Sequence, residues 1–107
     1  MVFSIEQDGT ALSVAIEGHL DLESSPVIEK ELAGRLDGIT HLVVDMAGVD
    51  YVSSMGLCLL LSLMKRMSKQ GTMVVRHVNG DVMELFDDSG FSQILTIEPD
   101  DRPAGER

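Results

Sequence analysis

The sequence predicts one α/β domain with a mixed, mostly parallel sheet that begins with a β-hairpin and continues through crossover helices. Two strand-like segments joined by Asp8-Gly9 indicate the hairpin, because Asp-Gly is a favoured two-residue turn. Strand-like and helix-like segments then alternate, which is typical of parallel strands connected by helices. The 107 residues are enough for one domain with its own core, so folding needs no disulfide or metal.

The predicted strands follow from apolar runs and turn residues, in the order β-β-α-β-α-β-α-β. The first two, over residues 2–7 and 11–17, form the hairpin. The third, Leu42 to Val44, is apolar on both faces, as in a central parallel strand covered by helices. A fourth is predicted from Thr72 to Val78, and Phe91 to Ile97 contains the last.

The three predicted helices have recognisable starts and stops. Ser25 is expected to cap the first helix, with Pro26 in the first helical position, and this helix ends at about Gly38. The second helix is predicted from Leu57 to about Gln70 and is stopped by Gly71. The third is predicted from Val82 to about Asp87, between the turn residues Asn79-Gly80-Asp81 and Ser89-Gly90.

The charge balance argues against nucleic-acid binding. The chain has 18 acidic and 8 basic residues, a net charge of −10, whereas nucleic-acid binding needs a clustered basic surface. The one small basic cluster, Lys65, Arg66 and Lys69, lies at a predicted helix end, where cations interact favourably with the helix dipole.

Cysteine content and hydropathy predict a soluble, cytoplasmic protein without direct membrane insertion. Cys58 is the single cysteine, so no internal disulfide forms and a reducing compartment suits the chain. The first residues lack the basic region and apolar run of a signal peptide. The longest apolar stretch, Gly56 to Met64, is about half of what a bilayer requires.

The residues that could support catalysis or bind metal are not assembled in any known pattern. His19, His41 and His77 lack the spacing of a metal site. Asp45 and Asp50 near a strand end could indicate a phospho-aspartate receiver, but the acidic pair expected after the first strand is missing. We therefore expect no catalytic residues, no metal and no cofactor, and the chain is not predicted to be an enzyme.

The second predicted helix is apolar around much of its circumference. The arc expected to face the sheet carries Leu57, Leu60, Leu61, Met64 and Met67. The opposite arc carries Met55, Leu59, Ser62 and Arg66. Large apolar side chains beside a serine predict a protein-contact surface. The alternative is that a neighbouring helix covers them.

Two adjacent serines, Ser53 and Ser54, lie at the junction between the third strand and this helix. Their hydroxyls lie among the unpaired N–H groups of a helix start, a place that tolerates negative charge. A serine here can be a simple cap or a phosphate acceptor.

Three segments resemble the landmarks of STAS domains: Gly18-His19-Leu20-Asp21, Leu42 to Asp45, and Ser53 to Leu57. A fourth, Leu85 to Phe91, is similar to a Leu-Phe and Gly pattern near the end of these domains. From about residue 4 to 97 the chain resembles the anti-sigma-factor antagonists of this family. The resemblance predicts a STAS domain over residues 1–98, and composition predicts a flexible acidic tail over 99–107.

The resemblance implies a phosphorylation site at Ser54. In the family the junction usually reads Asp-Ser-Ser/Thr-Gly-Leu, and a partner anti-sigma kinase phosphorylates the serine after the aspartate. By position Ser54 is the acceptor, Ser53 replaces the aspartate, and Met55 replaces the following Ser or Thr. Asp21 matches an acidic loop position, either a contact residue or a turn residue. The expected partner-binding residues are Asp21, Ser53, Ser54, Met55, Leu59 and Arg66.

The resemblance also implies a function, a bacterial partner switch. Unphosphorylated, the protein would sequester an anti-sigma factor serine kinase; phosphorylation of Ser54 would end binding, and a serine phosphatase would restore it. The alternative is a STAS subunit of a membrane transporter complex, for example in lipid trafficking, that binds an ATPase subunit without phosphorylation.

Overall fold

The computed structural model describes residues 2–98, which fold into four strands, three α-helices and one 3₁₀ turn. The predicted tail over 99–107 lies outside the described residues. The elements in chain order are β1 (Val2–Asp8), β2 (Ala11–Leu20), α1 (Ser24–Ala33), β3 (His41–Val52), α2 (Ser54–Met67), β4 (Thr72–Arg76), α3 (Gly80–Ser89) and the 3₁₀ turn (Phe91–Gln93).

The sheet has the order β1-β2-β3-β4, so each strand lies beside the strand that precedes it in sequence. β1 and β2 are antiparallel, with Asp8 opposite Ala11, and Gly9 has the positive φ of 62° that this tight turn requires. β2, β3 and β4 are parallel. The predicted fold class, a mixed sheet with a leading hairpin and crossover helices, is confirmed.

The hydrophobic core lies on one face of the sheet, and the expectation that helices cover both faces of β3 is wrong. Leu42 and Val44 are fully buried, whereas Val43 between them lies on the other face, in register with Ser13 of β2. Both crossovers step in the same direction along the sheet. Because such connections are right-handed, α1 and α2 lie on the same face.

The prediction of a last strand within residues 91–97 is also wrong for most of that segment. Gly90, with φ of 83°, ends α3, and the next residues form a turn in which Leu95 N donates to Phe91 O at 2.8 Å. Local hydrogen bonds thus occupy most of the segment. Only Ile97 pairs with the sheet, in an isolated parallel bridge to Val75.

Several element ends differ from the predicted ones. β3 continues to Val52, well beyond the apolar run that predicted it, and α1 ends at Ala33 rather than near Gly38. β4 ends at Arg76 because His77 has a φ of 58°, in the left-handed region, and turns the chain out of the sheet. Among the helices of residues 2–98, none has the length and apolar character needed to cross a membrane.

Candidate functional site: the junction of β3 and α2

The two serines of the junction have different environments. Ser53 is the N-cap of α2, and its Oγ accepts a hydrogen bond from Gly56 N at 3.3 Å. Ser54 is the first helical residue and is exposed, and its hydroxyl makes no hydrogen bond within the part of the chain that the structure describes. The first turn of α2 has no acidic residue. The Ser54 hydroxyl is therefore accessible and unpaired among residues 2–98, whereas the Ser53 hydroxyl caps α2.

A glycine brings this junction close to the end of β2. Ser53 N donates to the carbonyl oxygen of Leu20 at 2.9 Å. A Cβ on Gly56 would overlap the same oxygen and would lie 2.9 Å from Val52 Cγ1. Only glycine permits this approach. The start of α2 and the loop that follows Leu20 consequently share one edge of the sheet.

Asp21, in that loop, caps the turn that leads into α1, whose first residue is Ser24. Its Oδ1 accepts hydrogen bonds from Glu23 N at 3.0 Å and Ser24 N at 3.2 Å. In return, Asp21 N donates to Ser24 Oγ at 2.9 Å, the reciprocal pattern of a capping box. The N–H of Ser24 contributes most to lowering the pKa of Asp21 below its ordinary value. Asp21 therefore remains charged beside the junction.

The prediction that Ser25 caps α1 is wrong. Its Oγ is buried and has no hydrogen-bond partner among residues 2–98, and its backbone N–H donates to Asp21 O at 2.9 Å. The turn made by Asp21 places the start of α1 at Ser24, two residues earlier than the Ser-Pro signal indicated. Pro26 is therefore the third residue of α1.

A cluster at the ends of β2 and β3 was missed by sequence reasoning. His19 Nε2 lies 3.3 Å from Asp50 Oδ1, and the His19 and Tyr51 rings meet edge to face with centroids 5.6 Å apart. The cluster borders a cleft of about 510 Å³ lined by Gly18, His19, Asp21, Glu23, Ser24 and Asp50.

A β-bulge creates this arrangement. Gly18 pairs with Val49 and His19 with Tyr51, so Asp50 is an extra residue in β3. Both Asp50 and Tyr51 then face outward. The signal in the sequence was the spacing of apolar residues in β3, every third residue at Met46, Val49 and Val52 rather than every second.

Comparison with known proteins identifies the family. Residues 3–103 match the STAS domain. The chain belongs to the STAS domain family. A BtrV protein of Bordetella bronchiseptica is 29% identical over 99 residues, 91% of this chain and 85% of the relative. The anti-sigma-B factor antagonist of Bacillus subtilis is 27% identical over 94 residues, 87% of this chain and 86% of the relative.

Solved structures show the same fold. The anti-sigma factor antagonist SpoIIAA in its unphosphorylated form superposes with a TM-score of 0.79 at 16% identity, covering 92% of this chain and 90% of the other. SpoIIAA of Bacillus in its phosphorylated form superposes with a TM-score of 0.72 at 16% identity, covering 92% and 93%.

Exposed apolar side chains surround the junction of this STAS domain. Leu22 is 66% exposed, Tyr51 52% and Met55 41%. Met55 is thus exposed, and its role as a contact residue stays a prediction. We name the carboxyl-edge surface by its residues: His19, Asp21, Leu22, Asp50, Tyr51, Ser54 and Met55.

Leu59 does not belong to this surface, and its predicted exposure is wrong. It is 2% exposed, and Leu63 on the same side of α2 is 5% exposed. Leu57, Leu60 and Met67 are buried as predicted, whereas Leu61 and Met64 are only partly buried. The buried face of α2 is thus rotated by about 60° from the predicted one, at 100° per residue.

The cause of this rotation is α1, which packs against α2 in the STAS domain. Arg66 marks the contact, because its guanidinium donates to Ala33 O at 3.3 Å and to Asp37 Oδ1 at 2.9 Å. For Leu59 the alternative interpretation, a neighbouring helix that covers the arc, is therefore the correct one, whereas Met55 at the start of α2 stays exposed. Arg66, expected at a partner interface, binds the end of α1 and the loop that follows it.

The site combines an exposed serine hydroxyl with exposed apolar side chains. Over residues 2–98, no three His, Cys, Asp or Glu side chains are placed to hold a metal ion. The imidazole of His19 lies 3.3 Å from Asp50 Oδ1 and packs against Tyr51. Ser54 thus presents an exposed hydroxyl at the same edge of the sheet as the exposed apolar side chains of Leu22, Tyr51 and Met55.

Proposed function

We propose that this STAS domain is an anti-sigma factor antagonist whose binding to a partner anti-sigma kinase is controlled by phosphorylation of Ser54. The observation that carries the proposal is the difference between the two serines. Ser53 Oγ accepts a hydrogen bond from Gly56 N, whereas Ser54 is exposed and its hydroxyl makes no hydrogen bond among residues 2–98. A kinase can therefore modify Ser54 without breaking the cap of α2.

The position of Ser54 explains why a phosphate would leave the fold intact. A phosphate adds about −1.5 to −2 charges at neutral pH. At the first residue of a helix, the positive end of the helix dipole offsets part of this charge, by roughly 0.3–1 kcal/mol. The first turn of α2 contains no carboxylate that would repel it.

The same phosphate would oppose a partner docked on the carboxyl-edge surface. Leu22, Tyr51 and Met55 provide exposed apolar area around Ser54, and such residues bind by excluding water. A charge placed in the middle of this area must lose its hydration when the partner binds, at a cost of a few kcal/mol. Asp21 and Asp50, at the same edge, add like charge.

Names of the relatives support the same conclusion, since the B. subtilis relative is named an anti-sigma-B factor antagonist. We infer that the partner is an anti-sigma factor serine kinase and that a serine phosphatase restores binding. No feature of the described surface favours the alternative, a transporter subunit that binds without phosphorylation.

The test compares three forms of the full chain for binding to the anti-sigma kinase encoded in the same genome, by calorimetry. Ser54→Asp carries the charge, and Ser54→Asn is the matched neutral control. We expect Ser54→Asp to weaken binding at least about tenfold, which is 1.4 kcal/mol. Ser54→Asn should bind more tightly than Ser54→Asp, and both should melt within a few degrees of wild type. Equal binding by Ser54→Asp and wild type would exclude the switch.

A further inference from the structure

The carboxyl half of β3 lacks a neighbouring strand on one side. β4 pairs with β3 only from His41 to Asp45, whereas β3 continues to Val52. Residues 46–52 therefore have β2 on one side and no strand of residues 2–98 on the other. Backbone N–H and C=O groups on such a side need other partners when they are not hydrated.

Side chains replace the missing strand. Asn79 Nδ2 donates to the carbonyl oxygen of Val49 at 2.7 Å. Nearer to β4, Asp45 Oδ1 accepts from Ala47 N at 3.0 Å and lies 3.0 Å from His77 Nδ1. Two of these residues, His77 and Asn79, belong to the short connection between β4 and α3. This connection therefore completes the edge of β3.

Asn79 has a second task, because it also begins α3. Its Oδ1 accepts from Val82 N at 2.8 Å, so Asn79 is the N-cap of that helix. The two ends of one amide group thus fix α3 on one side and Val49 on the other. Since α3 is anchored by the buried residues Val82 and Phe86, the Val49 carbonyl is held against a rigid element.

Val49 immediately precedes Asp50 and Tyr51, which belong to the carboxyl-edge surface. It is 1% exposed and pairs with Gly18, and the extra residue Asp50 follows it directly. A bulge leaves its extra residue out of the ladder, so its direction depends on the hydrogen bonds beside it. The contacts of His19 with Asp50 and Tyr51 therefore rest on the position of Val49.

We infer that Asn79 is a positioning residue for partner binding: its amide donor holds the Val49 carbonyl and thereby sets the direction of Asp50 and Tyr51 on the carboxyl-edge surface. This inference rests on the proposed function, because the partner is the anti-sigma kinase. Asn79 itself lies outside that surface and acts through β3.

The two tasks of Asn79 can be separated by substitution. Asn79→Asp keeps the oxygen that caps α3, since Asp caps helices as well as Asn, but it places an acceptor against the Val49 carbonyl. In Asn79→Ser the new side chain can also cap α3 but is too short to reach Val49. This variant is the test if Asn79→Asp folds poorly. Gly90→Ala is the matched control, because it strains α3 at the end opposite to Asn79, where φ is 83°.

The first measurement uses the free protein and does not depend on any partner. Amide hydrogen exchange and NMR chemical shifts should change at Asp50, Tyr51 and the His19 ring in both Asn79 variants. They should stay as in wild type in Gly90→Ala. Unchanged exchange and shifts at Asp50 and Tyr51 in the Asn79 variants would overturn the inference, whatever the partner.

The second measurement is binding to the anti-sigma kinase. We expect both Asn79 variants to bind about two- to tenfold more weakly, the change that corresponds to one hydrogen bond, while Gly90→Ala binds as wild type. Equal weakening by Gly90→Ala would show that stability alone is responsible and would overturn the inference. Absence of binding by the wild-type chain would instead reject the proposed function. The first measurement would still show whether Asn79 sets the direction of Asp50 and Tyr51.

Discussion

A Cβ on Gly56 would overlap the carbonyl oxygen of Leu20, so the first turn of α2 can pack against the last residue of β2 only because residue 56 has no side chain. The same oxygen accepts the hydrogen bond from Ser53 N. One backbone carbonyl therefore joins the loop of Asp21 to the helix of Ser54. The spacing between the two parts of the carboxyl-edge surface depends on the absence of a side chain at residue 56.

Gly56→Ala should therefore destabilise the domain. The added methyl group must displace α2 from Leu20 and Val52, and overpacking of this kind costs about 1–3 kcal/mol. Urea unfolding measures the loss. Gly34→Ala at the end of α1 is the control, because its methyl group would meet no atom within 4 Å and its φ is −81°. Equal stability of Gly56→Ala and wild type would show that the contact is not tight.

Phosphate incorporation should distinguish the two serines of the junction. With the cognate anti-sigma kinase and ATP, wild type and Ser53→Ala should be labelled and Ser54→Ala should not. Ser53→Ala should lose about 0.5–2 kcal/mol of stability, because it removes the cap of α2. Peptide mass spectrometry locates the label. Phosphate found in Ser54→Ala would move the site to another hydroxyl.

Charge substitutions on α2 should separate the exposed surface from the core. Met55→Glu should fold, because residue 55 is 41% exposed and lies in the first turn, where a carboxylate is favourable. It should weaken partner binding at least about tenfold, as loss of an anchor residue does. Leu59→Glu buries an unpaired charge and should unfold the domain. Circular dichroism measures the folding of both variants, and calorimetry measures partner binding by Met55→Glu. A folded Leu59→Glu would contradict the packing of α1 on α2.

Asp21 should make the stability of the domain depend on pH in the acidic range. Because folding lowers its pKa, the contribution of the carboxylate is present above the ordinary pKa of aspartate and is lost as the pH falls through the folded value. Asp21→Asn keeps the acceptor oxygen of the cap without the charge. The difference in unfolding free energy between wild type and Asp21→Asn should shrink as the medium is acidified. A constant difference would show that the charge is not involved.

Local sequence signals located the candidate site but not everything around it. Ser53 and Ser54 were recognisable because a helix start is a local feature, and the hairpin because Asp8-Gly9 is a local turn. The burial of Leu59 was not predictable in the same way, since it depends on where α1 lies. A helical wheel shows how residues are arranged around an axis but not which side another helix approaches.

The start of α1 illustrates a competition between two local signals. Ser25-Pro26 has the composition of a helix start, yet the Asp21 side chain satisfies the N–H groups of the turn before it. Asp21 and Ser25 cannot both cap the same helix start, and the structure uses Asp21. The role of Asn79 was equally hidden, because its partner Val49 is 30 residues away in sequence.

The order of the sheet has a consequence for synthesis. Because β1, β2, β3 and β4 are neighbours in the order of the chain, each strand can pair as soon as it has left the ribosome. The residues that hold the free side of β3, His77 and Asn79, follow all four strands. A nascent chain that has just finished β4 therefore carries Ser54 on a complete sheet but lacks the support of the Val49 bulge. Its recognition surface is completed only when residues 77–79 have emerged as well.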